Sequence, residues 1–370
     1  MQDRNRAARL VLEDGSEFEG KAFGASRPTR GEVVFSTGMV GYPQSLTDPS
    51  YRGQILTLTY PLAGNYGIPA DSFDRFGIPR DFESDKIQVQ GLVVAELCDE
   101  PSHYSSVRTL SSWMEAQGIP GISGIDTRAL TQRLRERGVM RGHIAVDGAA
   151  PPAPSGREDE HPVADVSCKG MKTFRGDPGE PTIAVVDCGV KANILRIILA
   201  TGASVVMVPW DYDVSSLACD GIFLSNGPGD PKSCTKTIAA VRRALSGKKP
   251  IFGICLGTQI LALAAGADTY KLPYGHRGQN QPALEVGTSR CYMTSQNHGY
   301  AVRGDSLPFG WEPWFVNVND GTIEGIKSSD GRFRAVQFHP EGCPGPRDTQ
   351  FLLEDFVAEA KRFGEFHAKA

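Results

Sequence analysis

Gly253-Ile254-Cys255-Leu256-Gly257 sets a thiol between two glycines, directly after an apolar run and directly before Gln259-Ile260-Leu261-Ala262-Leu263-Ala264-Ala265. Residues 251–254 have the composition of a buried parallel strand, and residues 259–265 are mostly good helix formers. A strand, a sharp bend and a helix with a nucleophile at the bend make a nucleophile elbow. The bend strains the central residue, and small neighbours at 253 and 257 avoid a clash with it. The first amides of the helix lack intrahelical partners and can bind an anion. For an isolated thiol a buried structural cysteine is the better reading. The flanking glycines favour catalysis, which then requires a base, an orienting acceptor and a second oxyanion donor from elsewhere in the chain.

Arg334-Ala335-Val336-Gln337-Phe338-His339-Pro340-Glu341 reads as a strand running into His-Pro-Glu. A cysteine nucleophile needs a base for its proton, and the base needs an acceptor to orient it. His339 and Glu341, two residues apart on extended backbone, share a face. Ser225-Asn226-Gly227-Pro228-Gly229-Asp230-Pro231 is a rigid turn at a strand end that exposes backbone amides. It suits an oxyanion donor, although an ordinary Gly-Pro turn has the same composition. Gln296-Asn297-His298-Gly299-Tyr300 reads as a polar turn able to bind a head group, or as a plain hairpin loop. No two histidines stand at metal-ligand spacing, and no phosphate-binding Gly-x-x-x-x-Gly-Lys-Ser/Thr is present.

These groups need elements to position them. Residues 182–187, 204–209, 221–225 and 251–254 read as strands alternating with helices at 191–200, 236–245 and 259–265. That alternation predicts a doubly wound sheet whose ligands sit beyond the carboxyl ends of the strands. In the first half, residues 9–13 and 16–20 flank Asp14-Gly15, a hairpin signal. Further strands are expected at 31–36, 54–60 and 90–96. Helices are expected at 107–117 and at 127–138, with Asp126 as N-cap. Residues 41–65 are rich in turn formers and read as a long irregular loop. The run from Asp147 to Pro162, rich in Pro, small residues and charge, has linker composition, and an exposed irregular state is expected up to about residue 164. The fold class is therefore α/β: a C-terminal doubly wound, mostly parallel sheet with the elbow, plus a smaller N-terminal α+β domain. The expected boundaries are 1–147, a linker at 148–180, and 181–370.

A length of 370 residues favours two domains. With 39 Lys+Arg against 43 Asp+Glu, the charge of -4 gives no reason to expect nucleic acid or a membrane surface as partner. The start, Met1-Gln2-Asp3-Arg4-Asn5-Arg6, is charged and leads into no apolar signal segment, and the 8 cysteines are scattered without a Cys-x-x-Cys pair. A cytoplasmic location with reduced thiols is expected.

The elbow at 253–257 with Gln259, the 225–231 turn and His339-Pro340-Glu341 resemble the class I, triad-type glutamine amidotransferases. Leu46-Thr47-Asp48-Pro49-Ser50-Tyr51, Leu56-Thr57-Leu58-Thr59-Tyr60-Pro61, Asn65-Tyr66-Gly67, Gly124-Ile125-Asp126-Thr127-Arg128 and Gln296-Asn297-His298-Gly299 extend the likeness. Together they are similar to the small, glutaminase subunit family of carbamoyl phosphate synthetase, over nearly the whole chain. The resemblance implies hydrolysis of L-glutamine to glutamate and ammonia through a thioester. The ammonia would feed a large synthetase subunit or a fused synthetase domain that uses bicarbonate and ATP. It implies Cys255 as nucleophile, His339 as base and acid, and Glu341 as orienting carboxylate, with the amides of Gly229 and Leu256 as oxyanion hole. Glutamine would be held by Ser50, Gly227, Gly229, Leu256, Gln259, Asn297, Gly299 and Tyr300. No metal or cofactor is expected in this chain, and ATP and Mg belong to the synthetase partner. Thr258 departs from the His that many relatives carry there, for which tuning rather than loss is expected. Gly342-Cys343-Pro344 departs from the usual small polar residues. Two other readings are a docking partner without catalysis, as in relatives lacking the cysteine, and a γ-glutamyl peptidase of the same sheet class.

Overall fold

A computed structural model of the chain describes residues 6–151 and 161–368. Residues 152–160, the middle of the expected linker, lie outside the described residues. The chain divides into two compact units, 1–160 and 161–370.

The first unit is built on nine strands: β1 (Ala7–Leu12), β2 (Glu17–Gly24), β3 (Thr29–Ser36), β4 (Gln54–Leu58), β5 (Leu62–Ala63), β6 (Gly91–Val93), β7 (Glu96–Leu97), β8 (Pro120–Ser123) and β9 (Met140–Val146). Seven of them close a barrel in the order β1-β2-β8-β6-β4-β3-β9, while β5 and β7 form a separate pair. Alternating burial in β1, with Ala8, Leu10 and Leu12 inside, is the period-2 pattern of a strand with one face on a core. The Asp14-Gly15 hairpin forms as expected, with Gly15 at φ +83. Residues 41–65 are more regular than their turn formers suggest. They contain helix α1 (Tyr42–Thr47), a 3-10 turn at Pro49–Tyr51, and β4. Helix α2 (Leu110–Ala116) is capped by Thr109 rather than starting at 107. Helix α3 (Thr127–Arg137) has the expected cap, Asp126 accepting from the Ala129 amide.

In the second unit a short helix, α4 (Pro162–Val166), precedes β10 (Lys172–Phe174), so the stretch after 160, expected to be linker, is ordered structure. Then come β11 (Thr182–Asp187), α5 (Ala192–Ala200), β12 (Ser204–Pro209), β13 (Gly221–Leu224), α6 (Thr235–Ala244), β14 (Ile251–Ile254) and α7 (Leu256–Ala265). The chain ends with β15 (Thr269–Glu285), β16 (Cys291–Val302), β17 (Trp311–Asn317), β18 (Ile323–Ser328), β19 (Phe333–Val336) and α8 (Phe351–Ala368). The sheet order is β10-β12-β11-β13-β14-β19-β18-β16-β15-β17. Strands β12, β11, β13, β14 and β19 are mutually parallel; the rest pair antiparallel. The expectation of a mostly parallel sheet is thus corrected. A parallel centre carries a large antiparallel extension, and the Gln296–Tyr300 "turn" lies inside strand β16.

The central strands are apolar on both faces because helices cover both. Ile222, Leu224 and Ile251 pack in one cluster with Val241, Leu256 and Ile260 of α6 and α7. Phe223 and Phe252, pointing the other way, pack at a tilt on Phe356 of α8 with ring centroids 6.0 and 5.6 Å away. Among the described residues no helix is long and apolar enough to cross a membrane.

Candidate active site

Cys255 stands at the junction of β14 and α7 with φ 54 and ψ -106, in the half of φ space that side chains with a Cβ rarely occupy. Its surroundings over-determine that strain. The Cys255 amide donates to the Val336 carbonyl at 2.9 Å, and the Cys255 carbonyl accepts the Thr258 amide at 3.0 Å. A Cβ on Gly253 would fall 2.8 Å from the Gly257 carbonyl. One on Gly257 would lie 2.8 Å from the Leu224 carbonyl carbon and 2.9 Å from Leu224 Cβ. Both glycines therefore serve close backbone approach, and the contact at Leu224 clamps the start of α7 against the strand that leads into the 225–231 turn. Thr258, at the position of departure, donates to the Val336 carbonyl at 2.6 Å and is fully buried.

Parallel pairing of β14 with β19 carries the His-Pro-Glu segment to the same sheet end as Cys255. His339 Nδ1 lies 2.7 Å from Glu341 Oε1, and both residues are almost completely buried. Burial is the largest single influence on the imidazolium and pushes its pKa down. The Glu341 carboxylate, the Cys255 thiol and the bond to Glu341 together outweigh it and hold the pKa at about 10. With Nδ1 taken by Glu341, the influence of Cys255 runs through Nε2. No hydrogen bond of good geometry satisfies Nε2, and the thiol donates instead to the Asn297 carbonyl at 3.6 Å. Sulfur and imidazole are neighbours with the bond between them unmade.

Sequence reasoning missed the group behind Glu341. Lys191, 2 % exposed at the start of α5, puts Nζ 3.0 Å from Glu341 Oε1 and donates to the Gly342 carbonyl at 2.8 Å. Burial pushes the Glu341 carboxyl up, but Lys191 and His339 hold it at about 2, so it is ionised at neutral pH. Asn193 donates to the Glu341 carbonyl at 2.6 Å. No local spacing marks Lys191, because its partner lies 150 positions away (341 − 191).

The second unit brings several further expected residues to this point. A Cβ on Gly227 would meet the Cys188 carbonyl and lie 2.8 Å from Leu256 Cδ2, so the 225–231 turn abuts the start of α7. Gly229 has φ +87. Asn297 touches the thiol through its carbonyl. Gln259 is buried and spends its amide nitrogen on the Tyr300 carbonyl at 2.9 Å and on Gln337 Oε1 at 3.2 Å, which ties α7 to β16. Gly299 is backed by Arg277, a buried arginine whose Nη2 would lie 3.2 Å from a Cβ there. Ser50 belongs to the first unit. It is buried in the Pro49–Tyr51 turn, where its amide donates to Asp48 Oδ1 at 2.9 Å.

Behind β16 lies a polar cluster that spacing did not reveal. His276 bridges Glu324 (3.2 Å) and Asp320 (2.9 Å). His298 places Nδ1 2.9 Å from the Tyr300 carbonyl and Nε2 3.1 Å from Gln296 Oε1. The nearest donor atoms of His276, His298 and Glu324 all lie within 4.8 Å of one another. Burial pushes His298 far below the usual imidazole range, so it is neutral.

A buried thiol on a strained turn, an imidazole oriented by a carboxylate and a glycine turn beside them are the parts of thiol-dependent acyl transfer. Residues 184–359 match the family model described as Glutamine amidotransferase class-I, which defines the class of the second unit. Residues 10–144 match that of Carbamoyl-phosphate synthase small chain, CPSase domain. The chain is 47% identical over 363 residues to "Carbamoyl phosphate synthase arginine-specific small chain" of Emericella nidulans, covering 96% of this chain and 80% of that protein. It is 50% identical over 361 residues to "Multifunctional protein CAD" of Squalus acanthias, covering 96% of this chain but 16% of that protein. It is 46% identical over 381 residues to "Multifunctional protein pyr-3" of Neurospora crassa, covering 94% of this chain and 21% of that protein. The chain belongs to the carbamoyl-phosphate synthase small chain family.

Proposed function

We propose that this chain hydrolyses L-glutamine with a Cys255–His339–Glu341 triad and delivers the ammonia to a carbamoyl phosphate synthetase. The observation that carries the reading is the buried Glu341–His339 pair at 2.7 Å, with the Cys255 thiol as the neighbour of the remaining ring nitrogen. The junction of β14 and α7 acts as a nucleophile elbow. With the ring of His339 protonated at neutral pH, Cys255 sulfur adds to the side-chain amide carbon as the thiolate partner of that imidazolium. The amides of Gly229 and Leu256 hold the resulting oxyanion, a contribution worth roughly 3–4 kcal/mol per donor in measured cases. The carbon–nitrogen bond then breaks as His339 gives its proton to the leaving nitrogen, which departs as ammonia. Water, deprotonated by His339, adds to the γ-glutamyl thioester; the sulfur leaves as the thiolate beside the restored imidazolium, releasing glutamate. Glu341 keeps Nδ1 protonated throughout and stays charged, because Lys191 and the imidazolium face it.

Gly227, Gln259, Asn297, Gly299 and Tyr300 hold the amino acid. Their supporting observation is that they line the strand and turns next to the sulfur. The partner is a large synthetase subunit or a fused synthetase domain, which supplies the sites for bicarbonate, ATP and Mg. Relatives occur both as a small chain and within multifunctional proteins. The test is glutamate release with and without a candidate synthetase. Activity that rises with partner and ATP, and disappears in Cys255→Ser, supports the reading. Full activity in Cys255→Ser refutes it.

A further inference from the structure

The segment that begins the second unit packs on the glycine turn beside the nucleophile. Pro162 is the first residue of α4, where its missing N–H leaves no helical bond unmade. A Cβ on Gly229 would fall 2.5 Å from Pro162 Cγ and 3.5 Å from its Cδ, so the pyrrolidine ring lies against the Gly229 α-carbon. Val163, 2 % exposed, is buried in the same apolar cluster as Cys188, Leu224 and Leu256. The rest of the segment is tied to the ends of two strands. The Ser167 hydroxyl accepts the Trp210 amide at 3.0 Å, the Cys168 amide donates to Asp187 Oδ2 at 2.7 Å, and β10 pairs with β12. Compositional reading assigned this stretch to a linker, yet it backs the stretches that carry both amides of the oxyanion hole.

We propose that Pro162 is a positioning residue for the glutaminase reaction, holding the Pro228–Gly229 peptide in the orientation that aims the Gly229 N–H at the developing oxyanion. This rests on the triad reading above and goes beyond it. Glycine moves between φ regions at little cost, so a glycine donor does not hold its own direction. An oxyanion donor is effective only when its orientation is fixed before charge develops. At Gly229, with φ +87, the fixing comes from outside the turn: a rigid ring, itself pinned by α4, fills the place a side chain on Gly229 would take and packs against its α-carbon.

The experiment compares Pro162→Gly and Pro162→Val in the full chain. It reads steady-state glutaminase kinetics, the rate of Cys255 alkylation by iodoacetamide followed on its peptide, and thermal unfolding. Complete loss of an oxyanion donor lowers kcat by about 100- to 1000-fold, so a donor left mobile rather than removed is expected to lower kcat about 10-fold in Pro162→Gly. KM stays within about twofold. The Cys255 alkylation rate stays at the wild-type value, because thiol and imidazole are untouched. Pro162→Val, which keeps bulk against Gly229, recovers most of the loss. Unchanged kcat in Pro162→Gly overturns the proposal, and so does a loss that tracks slower alkylation or a lowered melting temperature. Retained glutaminase in Cys255→Ser, run alongside, identifies a failure of the triad reading itself.

Discussion

Gly257→Ala probes the geometry on which the nucleophile depends. The new methyl group would sit 2.8 Å from the Leu224 carbonyl carbon and 2.9 Å from Leu224 Cβ, distances real Cβ atoms essentially never show. Neither side can yield cheaply. Leu224 is fully buried at the end of β13, and the first turn of α7 is held by the Thr258 bond to Val336. The start of α7 must therefore shift, and the sulfur of the preceding residue shifts with it. Overpacking of this kind costs about 1–3 kcal/mol, and the upper end fits a clash with backbone. For a unit of this size that lowers the melting temperature by about 6–12 °C, at about 2–4 °C per kcal/mol. A displacement approaching 1 Å at a reacting group costs about 100-fold in rate. Calorimetry and glutaminase kcat read the two effects. Gly170→Ala, with nothing within 4 Å of its Cβ and no positive φ, is the matched control and should change neither. A Gly257→Ala protein with wild-type kcat and melting temperature would show that the close approach does not fix the bend.

Three further outcomes are expected. Lys191→Met removes one partner of a buried pair and should cost about 3 kcal/mol at neutral pH, the low end for such pairs because His339 still faces Glu341. Glu341's folded pKa is depressed, so its stabilisation is present above its ordinary value of 4.5 and is lost as pH falls through about 2; urea unfolding should show the wild-type advantage over Lys191→Met shrinking across that window. Glu341→Gln removes the carboxylate that raises the His339 pKa, so the alkaline limb of kcat/KM, expected near pH 10 in the wild type, should move toward neutrality; an unmoved limb contradicts the assignment. Thr258→Val loses one buried hydrogen bond, but the Val336 carbonyl keeps the Cys255 amide as donor, so about 1 kcal/mol of stability and at most a few-fold in kcat should be lost, read by denaturant unfolding and steady-state assay.

Much of the site was legible because steric necessity leaves a local mark. Only small residues fit at 253 and 257, and the apolar run before them and helix formers after them fix the bend's setting. His339 and Glu341 were legible together because they sit two apart at a strand end. Lys191 was not: a single lysine before a helix looks solvated until the fold sets it against a carboxylate 150 positions away (341 − 191). The antiparallel extension was missed because β15 and β16 contain the punctuation of turns, including Pro273, Gly275, Gly278 and Gly299. The pairing absorbs part of it through register shifts between Lys271 and His276 and between Gly278 and Gln281. Barrel closure in the first unit left no signature either, since alternation in β1 and β2 is the same in an open sheet. The stretch from 161 to 174 fell within the expected linker boundaries, although Val163 and Ser167 are buried.

The central claim is that Cys255 sulfur bonds to the substrate's γ-carbon and His339 moves the protons. The most direct measurement is acid quenching of the protein during turnover of isotope-labelled glutamine, followed by peptide mapping. A γ-glutamyl group on the peptide containing Cys255 is expected, absent in Cys255→Ser and strongly depleted in His339→Asn. Turnover with no labelled peptide under conditions that trap thioesters, or label on any other cysteine such as Cys343, would contradict it.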